Sequence, residues 1–351
     1  MFSRISNVFI VCIIFITSGG AFEATAATKK GVQQGRIIYE QITSPALESN
    51  ILGNPATKPL TIYLPPGYDE HPDKRYPTVY LLHGAIRLQS AGPEKFAKAS
   101  SSFIVEHGAA FCDQLVAQGK TEGVILVGID GTTKDGCSYY VNSSVNGNYA
   151  DYICKDIVQY VDKKYRTLPR RESRGITGYS AGAFGSMYLG MTHTELFSGI
   201  VCLSPGSALA ASTYFDTWAA SNPQPDNGQM DGLEIDLARA FWPNPNNPPD
   251  YFDWPFTRDG EFLEEVYARG ADKSPELLVP KYREELKRTA IYLGCGTEDW
   301  AIAGARKFHE ILTEAGIPHT YVEYEGGHGY KGAERIQEGL AFLVEIFQQK
   351  M

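Results

Sequence analysis

One serine, two acidic residues and one histidine in the C-terminal half of the chain could together carry out nucleophilic catalysis. Ser180 is the central residue of Gly178-Tyr179-Ser180-Ala181-Gly182, which follows the pattern G-x-S-x-G. A run that predicts a strand precedes it and a run that predicts a helix follows it. This context indicates a nucleophile elbow, a tight turn that raises the serine hydroxyl above the end of a sheet. The pentapeptide is a weak signal on its own, so the interpretation depends on the partners that the serine needs.

A serine hydroxyl becomes a good nucleophile only when a base takes its proton, and that base is normally a histidine held by a carboxylate. In an elbow site the acid and then the histidine follow the serine along the chain. Glu298 and Asp299 follow the predicted strand Ala290–Leu293, at the edge of the sheet where the elbow also lies. Either acid could instead stabilise the start of the next helix, so both remain candidates.

His328 is the best candidate for the base among the three histidines that follow Ser180. It comes directly after the predicted strand Thr320–Tyr324 and has a glycine on each side. His309 lies inside a predicted helix, and His319 precedes the strand at the wrong end. The loop that carries His328 can therefore reach over the serine.

The negative charge that develops on a substrate oxygen requires two backbone N–H donors. The amide of Ala181, at the start of the predicted helix, is one candidate. The amide of Ala85 is the second, because it follows the predicted strand Thr78–Leu82 and a turn at Gly84. We interpret His83 as a residue that supports this loop by hydrogen bonding.

Alternating strand-like and helix-like runs predict the framework that positions these residues. Short apolar runs bounded by turn residues are typical of strands buried on both faces of a parallel sheet. Of eight predicted strands, the first two form an antiparallel pair at one edge and the rest are mostly parallel. The predicted strands are Gly35–Gln41, Pro59–Leu64, Thr78–Leu82, Val124–Ile129, Ser173–Thr177, Ile200–Leu203, Ala290–Leu293 and Thr320–Tyr324. The predicted helices include Cys112–Ala117, Tyr149–Tyr165, Ala301–Glu314 and Glu334–Phe347.

Residues 207–288 interrupt this alternation. The segment contains several closely spaced prolines and an aromatic group, Tyr251, Phe252, Trp254 and Phe256. Prolines at this density do not favour regular elements. We predict an irregular, lid-like insertion that covers the site or forms a pocket wall. The alternatives are structural padding and a contact between subunits.

The composition is that of an ordinary soluble globular protein, with 43% hydrophobic and 21% charged residues among 351. The formal net charge of −9 argues against nucleic acid or an anionic membrane surface as a partner. A chain of this length can bury a sizeable core in one large α/β domain.

Residues 1–26 predict a signal peptide. Arg4 supplies a positive charge, Val8–Ile16 is an apolar run, and Ala24-Thr25-Ala26 fits a cleavage site with small residues. The apolar run is too short to span a bilayer comfortably, so no stable membrane anchor is expected. Residues 27–351 are then a single catalytic domain that is exported to the periplasm or secreted.

Five cysteines follow the predicted signal peptide. Cys137 and Cys154 flank one loop and form the predicted disulfide pair. Cys202 and Cys295 lie in apolar strand-like runs and are expected to be buried as small hydrophobic residues. No cysteine spacing is typical of a metal site, and neither a metal nor an organic cofactor is expected.

With these residues in place, the chain resembles the putative esterase (esterase D-like) family of α/β-hydrolases, which includes feruloyl esterases, acetyl xylan esterases and S-formylglutathione hydrolases. The matching pieces are Leu64-Pro65-Pro66-Gly67-Tyr68, Tyr80-Leu81-Leu82-His83-Gly84, Tyr165-Arg166 with the elbow, Phe197 to Pro205, Gly296-Thr297-Glu298-Asp299 and Gly326-Gly327-His328. The resemblance implies an α/β-hydrolase fold with an eight-stranded sheet. Its G-T-x-D pattern implies that the acid is Asp299.

The resemblance implies a serine esterase that works through an acyl-enzyme. Together with the predicted export and the aromatic insertion, it implies feruloyl or acetyl esters of plant polysaccharide as substrates. The elbow departs from the common family sequence G-H-S-M-G-G, so the acyl preference is open. Tyr179, Trp254 and Trp300 are the predicted substrate contacts. The alternatives are an acyltransferase of the same fold and a non-catalytic binding protein, which would have no need of all three catalytic residues.

Overall fold

The computed structural model describes residues 32–85, 93–205, 232–257 and 261–350. The predicted signal peptide and residues 207–231 of the predicted insertion lie outside the described residues. The main sheet has eight strands. In chain order they are β1 Arg36–Thr43, β2 Thr57–Leu64, β3 Thr78–Leu82, β4 Ile125–Ile129, β5 Arg174–Tyr179, β6 Gly199–Leu203, β7 Ala290–Gly296 and β8 Thr320–Tyr324.

The strands lie side by side in the order β1-β2-β4-β3-β5-β6-β7-β8. β1 pairs with β2, and β2 with β4, in antiparallel fashion, and every other neighbouring pair is parallel. Every residue of β3, β4 and β6 is buried, as their continuous apolar sequences predict. The predicted α/β-hydrolase architecture with a mostly parallel eight-stranded sheet is therefore confirmed.

Helices cover both faces of the sheet. They are α1 Pro93–Ala117, α2 Tyr149–Asp151, α3 Val158–Lys164, α4 Ala181–Thr192, α5 Gly232–Phe241, α6 Glu264–Ala268, α7 Pro275–Leu278, α8 Arg283–Leu286, α9 Ile302–Glu314 and α10 Gly332–Lys350. Side chains of α1 and α10 pack on one face, and those of α3 and α4 pack on the other. None of the helices in the described residues combines the length and the apolar character that a bilayer span requires.

The predicted helix from Tyr149 is present but is not uniform. A π-helical turn, Tyr152–Ile157, joins α2 to α3. Three-residue 3₁₀ turns lie at Pro45–Leu47, Arg171–Ser173 and Ala271–Lys273. The insertion is more regular than its prolines indicate, because α5 to α8 lie within its described residues.

The predicted disulfide between Cys137 and Cys154 is wrong. The five cysteines in the described part of the chain are all buried, free thiols. The Cys137 sulfur accepts a hydrogen bond from the N–H of Tyr139 at 3.4 Å, whereas Cys154 lies in the π-helical turn. The two residues therefore have separate surroundings, and burial raises the pKa of both thiols. The predicted burial of Cys202 and Cys295 is confirmed.

Candidate active site

Ser180 lies in the turn between β5 and α4 with φ 56° and ψ −120°. A non-glycine residue in this region of the backbone is strained and persists only where its surroundings impose it. The close contacts of the two flanking glycines show how the surroundings impose this conformation. A Cβ on Gly178 would lie 2.1 Å from the carbonyl oxygen of Gly182, and a Cβ on Gly182 would lie 2.2 Å from that of Leu82. The pattern G-x-S-x-G is thus required by the close approach of strand, turn and helix.

The structure brings Ser180, His328 and Asp299 together in one hydrogen-bonded chain. The Nε2 atom of His328 lies 3.0 Å from the Oγ atom of Ser180. The Nδ1 atom of His328 lies 2.9 Å from Oδ1 and 3.0 Å from Oδ2 of Asp299. The three residues follow the carboxyl ends of β5, β7 and β8, which end at the same edge of the sheet. The imidazole can therefore donate a hydrogen bond to the carboxylate from Nδ1 while Nε2 accepts one from the serine hydroxyl.

Asp299 is held as a buried carboxylate. It is only 2% exposed, and its Oδ1 atom accepts a hydrogen bond from the N–H of Ala301 at 2.9 Å. Burial acts to raise the pKa of this carboxyl, but hydrogen bonds and charge from His328, with smaller help from Ala301 and Ser204, hold the pKa below its usual value. Asp299 is therefore ionised at neutral pH.

Glu298, the other acid that the residue pattern allowed, lies differently. Its side chain is exposed. Its backbone N–H donates to the carbonyl oxygen of Gly326 at 3.1 Å and so joins the loop after β7 to the loop after β8. The structure thus places Asp299, and not Glu298, against the imidazole.

Ser204 and Tyr324 support the site and were not singled out as site residues from the sequence. Ser204 follows β6, is fully buried and has φ 45°. Its hydroxyl lies 2.8 Å from the Tyr324 hydroxyl, and its N–H donates to the carbonyl oxygen of Gly294 at 2.7 Å. The one available signal was position, since Ser204 follows a strand at the same edge of the sheet as Asp299.

The loop after β3 lies directly beside the nucleophile. A Cβ on Gly84 would be 3.2 Å from the Cβ of Ser180. The Nδ1–H of His83 donates to the carbonyl oxygen of Gly84 at 2.7 Å, while its Nε2 accepts from the N–H of Gly131 at 2.9 Å. Because a peptide unit is planar and trans, fixing the Gly84 carbonyl also fixes the opposite direction of the Ala85 N–H.

The second predicted oxyanion donor, Ala181, is the first residue of α4. Amides in the first turn of a helix have no intrahelical acceptor, and the partial positive charge at the helix start favours an anion there. Ala181 and Ala85 therefore come from the two segments that flank the Ser180 side chain.

A buried ion pair lies beneath this loop. Lys58 Nζ is 3.6 Å from Asp130 Oδ2 and donates to the carbonyl oxygen of Thr132 at 2.6 Å. Asp130 Oδ1 is 3.7 Å from the Nε2 atom of His83. Burial acts to raise the pKa of Asp130, but the charge of Lys58 acts against this and the pKa is lowered. The sequence has no local signal for this cluster, because its members lie far apart along the chain.

Two of the three predicted substrate contacts lie against the imidazole. The ring centroids of Tyr179 and Trp300 are 5.3 Å and 5.0 Å from that of His328. The third predicted contact, Trp254, lies inside the insertion. It is 3% exposed and packs edge to face on Trp242 at 5.6 Å, so its side chain stabilises the insertion and offers a substrate little surface.

The insertion is attached to the main body near the elbow helix. Asp236 of α5 accepts hydrogen bonds from Thr133 Oγ1 at 2.8 Å and from the N–H of Cys137 at 2.5 Å. Burial raises the pKa of Asp236 to about 8. The rings of Phe241 in α5 and Phe184 in α4 are 5.5 Å apart. The described part of the insertion therefore packs against the helix that follows Ser180.

The chain is similar to known esterases in sequence and in fold. The family model described as "Putative esterase" matches residues 49–334. An acetyl esterase of Caldicellulosiruptor saccharolyticus is 25% identical over 195 residues, which are 55% of this chain. The chain spans 62% of the length of that relative.

Two solved structures show the same fold. A ferulic acid esterase has a TM-score of 0.60 at 19% identity, over 89% of this chain and 99% of that one. An S-formylglutathione hydrolase of Staphylococcus aureus has a TM-score of 0.56 at 18% identity, again over 89% and 99%. The family model spans well over half of the chain, so the protein belongs to the putative esterase family of α/β-hydrolases.

Proposed function

We propose that this protein is a serine carboxylic-ester hydrolase that works through an acyl-enzyme. The observation that carries the proposal is the continuous hydrogen-bonded chain from the Ser180 hydroxyl through His328 to the buried Asp299 carboxylate, with contacts of 3.0 and 2.9 Å. A strained backbone presents the serine at the edge of the sheet. This arrangement is the one that acyl transfer to a serine requires.

In the first half of the reaction, the Ser180 oxygen attacks the ester carbonyl carbon while Nε2 of His328 takes its proton. Asp299 stabilises the imidazolium that forms. The amides of Ala85 and Ala181 stabilise the oxyanion. When the tetrahedral intermediate collapses, the carbon–oxygen bond to the alcohol breaks, and the leaving oxygen takes the proton from Nε2.

In the second half, water replaces the alcohol. His328 takes a proton from the water as its oxygen attacks the acyl carbon of the Ser180 ester. Collapse of the second intermediate returns the proton to the serine oxygen and releases the carboxylic acid. The low pKa of Asp299 keeps its carboxylate ionised throughout, so the histidine can cycle between its neutral and charged forms.

Feruloyl or acetyl esters of plant polysaccharide are the substrates we propose. The fold likeness to a ferulic acid esterase and the sequence likeness to an acetyl esterase support these acyl groups. The predicted signal peptide supports export. Export in turn fits a polymeric substrate, because a polysaccharide of this kind lies outside the cell. Sequencing the N-terminus of the protein recovered from periplasm and medium tests export. A mature chain that starts near residue 27 supports it, and an intact N-terminus inside the cell contradicts it.

The activity is tested with a panel of p-nitrophenyl esters, methyl hydroxycinnamates and acetylated sugars. Wild type is expected to release acid, and Ser180→Ala should lower kcat by at least about 10⁴-fold. Ser198→Ala is the matched control, because Ser198 is buried at the opposite end of β6 and bonds only to backbone there. Absence of activity on the whole panel, or full activity in Ser180→Ala, would contradict the proposal.

A further inference from the structure

Trp300 is both exposed to solvent and in contact with the catalytic imidazole. At 53% exposure it is the most exposed large hydrophobic residue in the described part of the chain. Its ring nevertheless lies 5.0 Å from the His328 imidazole, with the two planes 36° apart. One part of the indole therefore covers the imidazole, while the rest offers an apolar face to solvent beside the reacting atoms.

The position of the imidazole decides which half of an ester lies near this face. After the tetrahedral intermediate forms, Nε2 of His328 must return its proton to the leaving oxygen, so that oxygen has to come within hydrogen-bond distance of Nε2. The carbonyl oxygen points instead toward the amides at the start of α4. A side chain that packs on the imidazole is therefore a neighbour of the alcohol portion of the ester.

The chemistry of the face limits what that alcohol can be. The face of an indole carries a partial negative charge and attracts the polarised C–H bonds on the apolar face of a sugar ring. The exposed carboxylates of Glu298 and Glu325 lie on the two loops that hold Trp300 and His328. Those loops meet where the Glu298 N–H bonds to the Gly326 carbonyl oxygen. The nearest cation along the second loop, Lys331, is 3.7 Å from Glu334. Among the described residues of these two loops the exposed charge near Trp300 is therefore negative, which disfavours an anionic alcohol or thiol beside it.

We propose that Trp300 forms a subsite for the alcohol portion of the substrate and that this portion is an uncharged sugar ring. The inference rests on the proposed esterase function, since it assigns one side of the same site. An uncharged sugar alcohol distinguishes the proposed substrate from thioesters such as S-formylglutathione, whose leaving group carries carboxylates.

The test compares two esters that share one acyl group, a methyl ester and an ester of a sugar hydroxyl, in wild type and Trp300→Ala. On the sugar ester, kcat/KM should fall about ten-fold in the variant, which corresponds to the loss of one stacking contact. On the methyl ester it should change less than about two-fold. The rate of acyl-enzyme hydrolysis, measured in a single turnover, should be unchanged because the alcohol has already left. Trp300→Phe, which keeps an aromatic face, should recover most of the loss.

Tyr39→Ala is the control for removing an exposed aromatic ring, because Tyr39 is 50% exposed on β1 at the opposite edge of the sheet. Equal losses on both esters, or a slower second half-reaction, would overturn the proposal and assign Trp300 to His328 or to the acyl group. No loss on either ester would overturn it as well. Wild-type inactivity on both esters would instead be a failure of the esterase proposal.

The charge component is tested with methyl glucoside and methyl glucuronide as competitive inhibitors at low salt, since the two differ by one carboxylate. The uncharged sugar should bind about two- to five-fold more tightly, as expected for exposed charges. The double variant Glu298→Gln, Glu325→Gln should remove the difference. Tighter binding of the glucuronide to wild type would contradict an uncharged alcohol.

Discussion

Two buried aspartates, one at the catalytic edge of the sheet and one in the insertion, have pKa values that are shifted in opposite directions. Asp299 is 2% exposed and Asp236 is fully buried. Each accepts a hydrogen bond from a backbone N–H. Yet the pKa of Asp299 is lowered, whereas that of Asp236 is raised to about 8.

The difference comes from the neighbours. Asp299 contacts an imidazole that can carry a positive charge. Asp236 contacts the Thr133 hydroxyl and has the carboxylate of Asp135 nearby, and the charge of Arg239 does not outweigh its burial. Burial sets the free-energy cost of a charge, and a cationic partner decides whether that cost is offset. Asp299, at the edge of the sheet, is therefore ionised and can stabilise a cationic imidazole. Asp236 instead attaches the insertion as a protonated carboxyl.

Asp299→Asn removes the charge from the first of these sites. We expect kcat to fall about 10³- to 10⁴-fold, because an amide cannot stabilise the imidazolium and can hold the ring in the wrong tautomer. Steady-state kinetics on the best ester of the panel measures the change. Glu298→Gln is the matched control and should stay within about two-fold, since that side chain is exposed. A larger loss in Glu298→Gln than in Asp299→Asn would contradict the assignment of the acid.

Lys58→Met should leave the buried carboxylate of Asp130 without its lysine partner. Asp130 would keep its burial but lose its cation, so the free energy of unfolding at pH 7 should fall by about 3–5 kcal/mol. Urea unfolding measures the change. The double variant Lys58→Met, Asp130→Asn should recover most of the loss, because no buried charge remains. A double variant as unstable as the single one would show that packing, and not charge, is responsible.

The raised pKa of Asp236 predicts that the free energy of unfolding declines as the pH rises. The unfolded carboxyl ionises near pH 4, whereas the folded one keeps its proton until about pH 8. Between these values the folded state binds one more proton, so this residue lowers the free energy of unfolding by about 1.4 kcal/mol per pH unit. Urea unfolding at pH 5, 6 and 7 tests the slope.

Asp236→Asn is the control for that slope. Its amide has nearly the shape of the protonated acid but does not titrate. The part of the pH dependence due to Asp236 should therefore disappear. An unchanged slope in the variant would show that Asp236 is ionised in the folded protein.

Ser204→Ala should have the smallest effect of the four. It removes a hydroxyl that bonds to Tyr324 and lowers the pKa of Asp299. We expect a loss of about 1 kcal/mol in stability and less than ten-fold in kcat. Chemical denaturation and steady-state kinetics measure the two effects. A kcat loss as large as that of Asp299→Asn would place Ser204 in the chemistry itself.

The sequence predicted the parts of the site that depend on local pattern. The elbow requires small residues because strand and helix nearly touch, so Gly178 and Gly182 are visible in five letters. The central strands of the sheet were visible because buried parallel strands have continuous apolar sequences. The residue pattern alone left the acid open between Glu298 and Asp299, since both lie in one loop and only burial distinguishes them.

The parts that were missed depend on contacts between distant segments. Asp236 bonds to Thr133, which lies 103 residues away, and Lys58 lies beside Asp130 from another strand. The packing of Trp254 on Trp242 was missed because a cluster of aromatic residues has the same sequence whether the rings face a ligand or each other. The disulfide was wrong because closeness along one loop does not bring two sulfurs together.

The backbone of Ser180 also has a consequence for how such a chain changes over time. A non-glycine residue at φ 56° costs on the order of 1–3 kcal/mol of folding stability, and a glycine at the same place would avoid that cost. Selection for folding alone would therefore favour replacing this serine by glycine. A lineage that no longer needed the Ser180 hydroxyl would gain stability by replacing the serine with glycine. A serine that is kept in this strained conformation is therefore expected where its hydroxyl has a function.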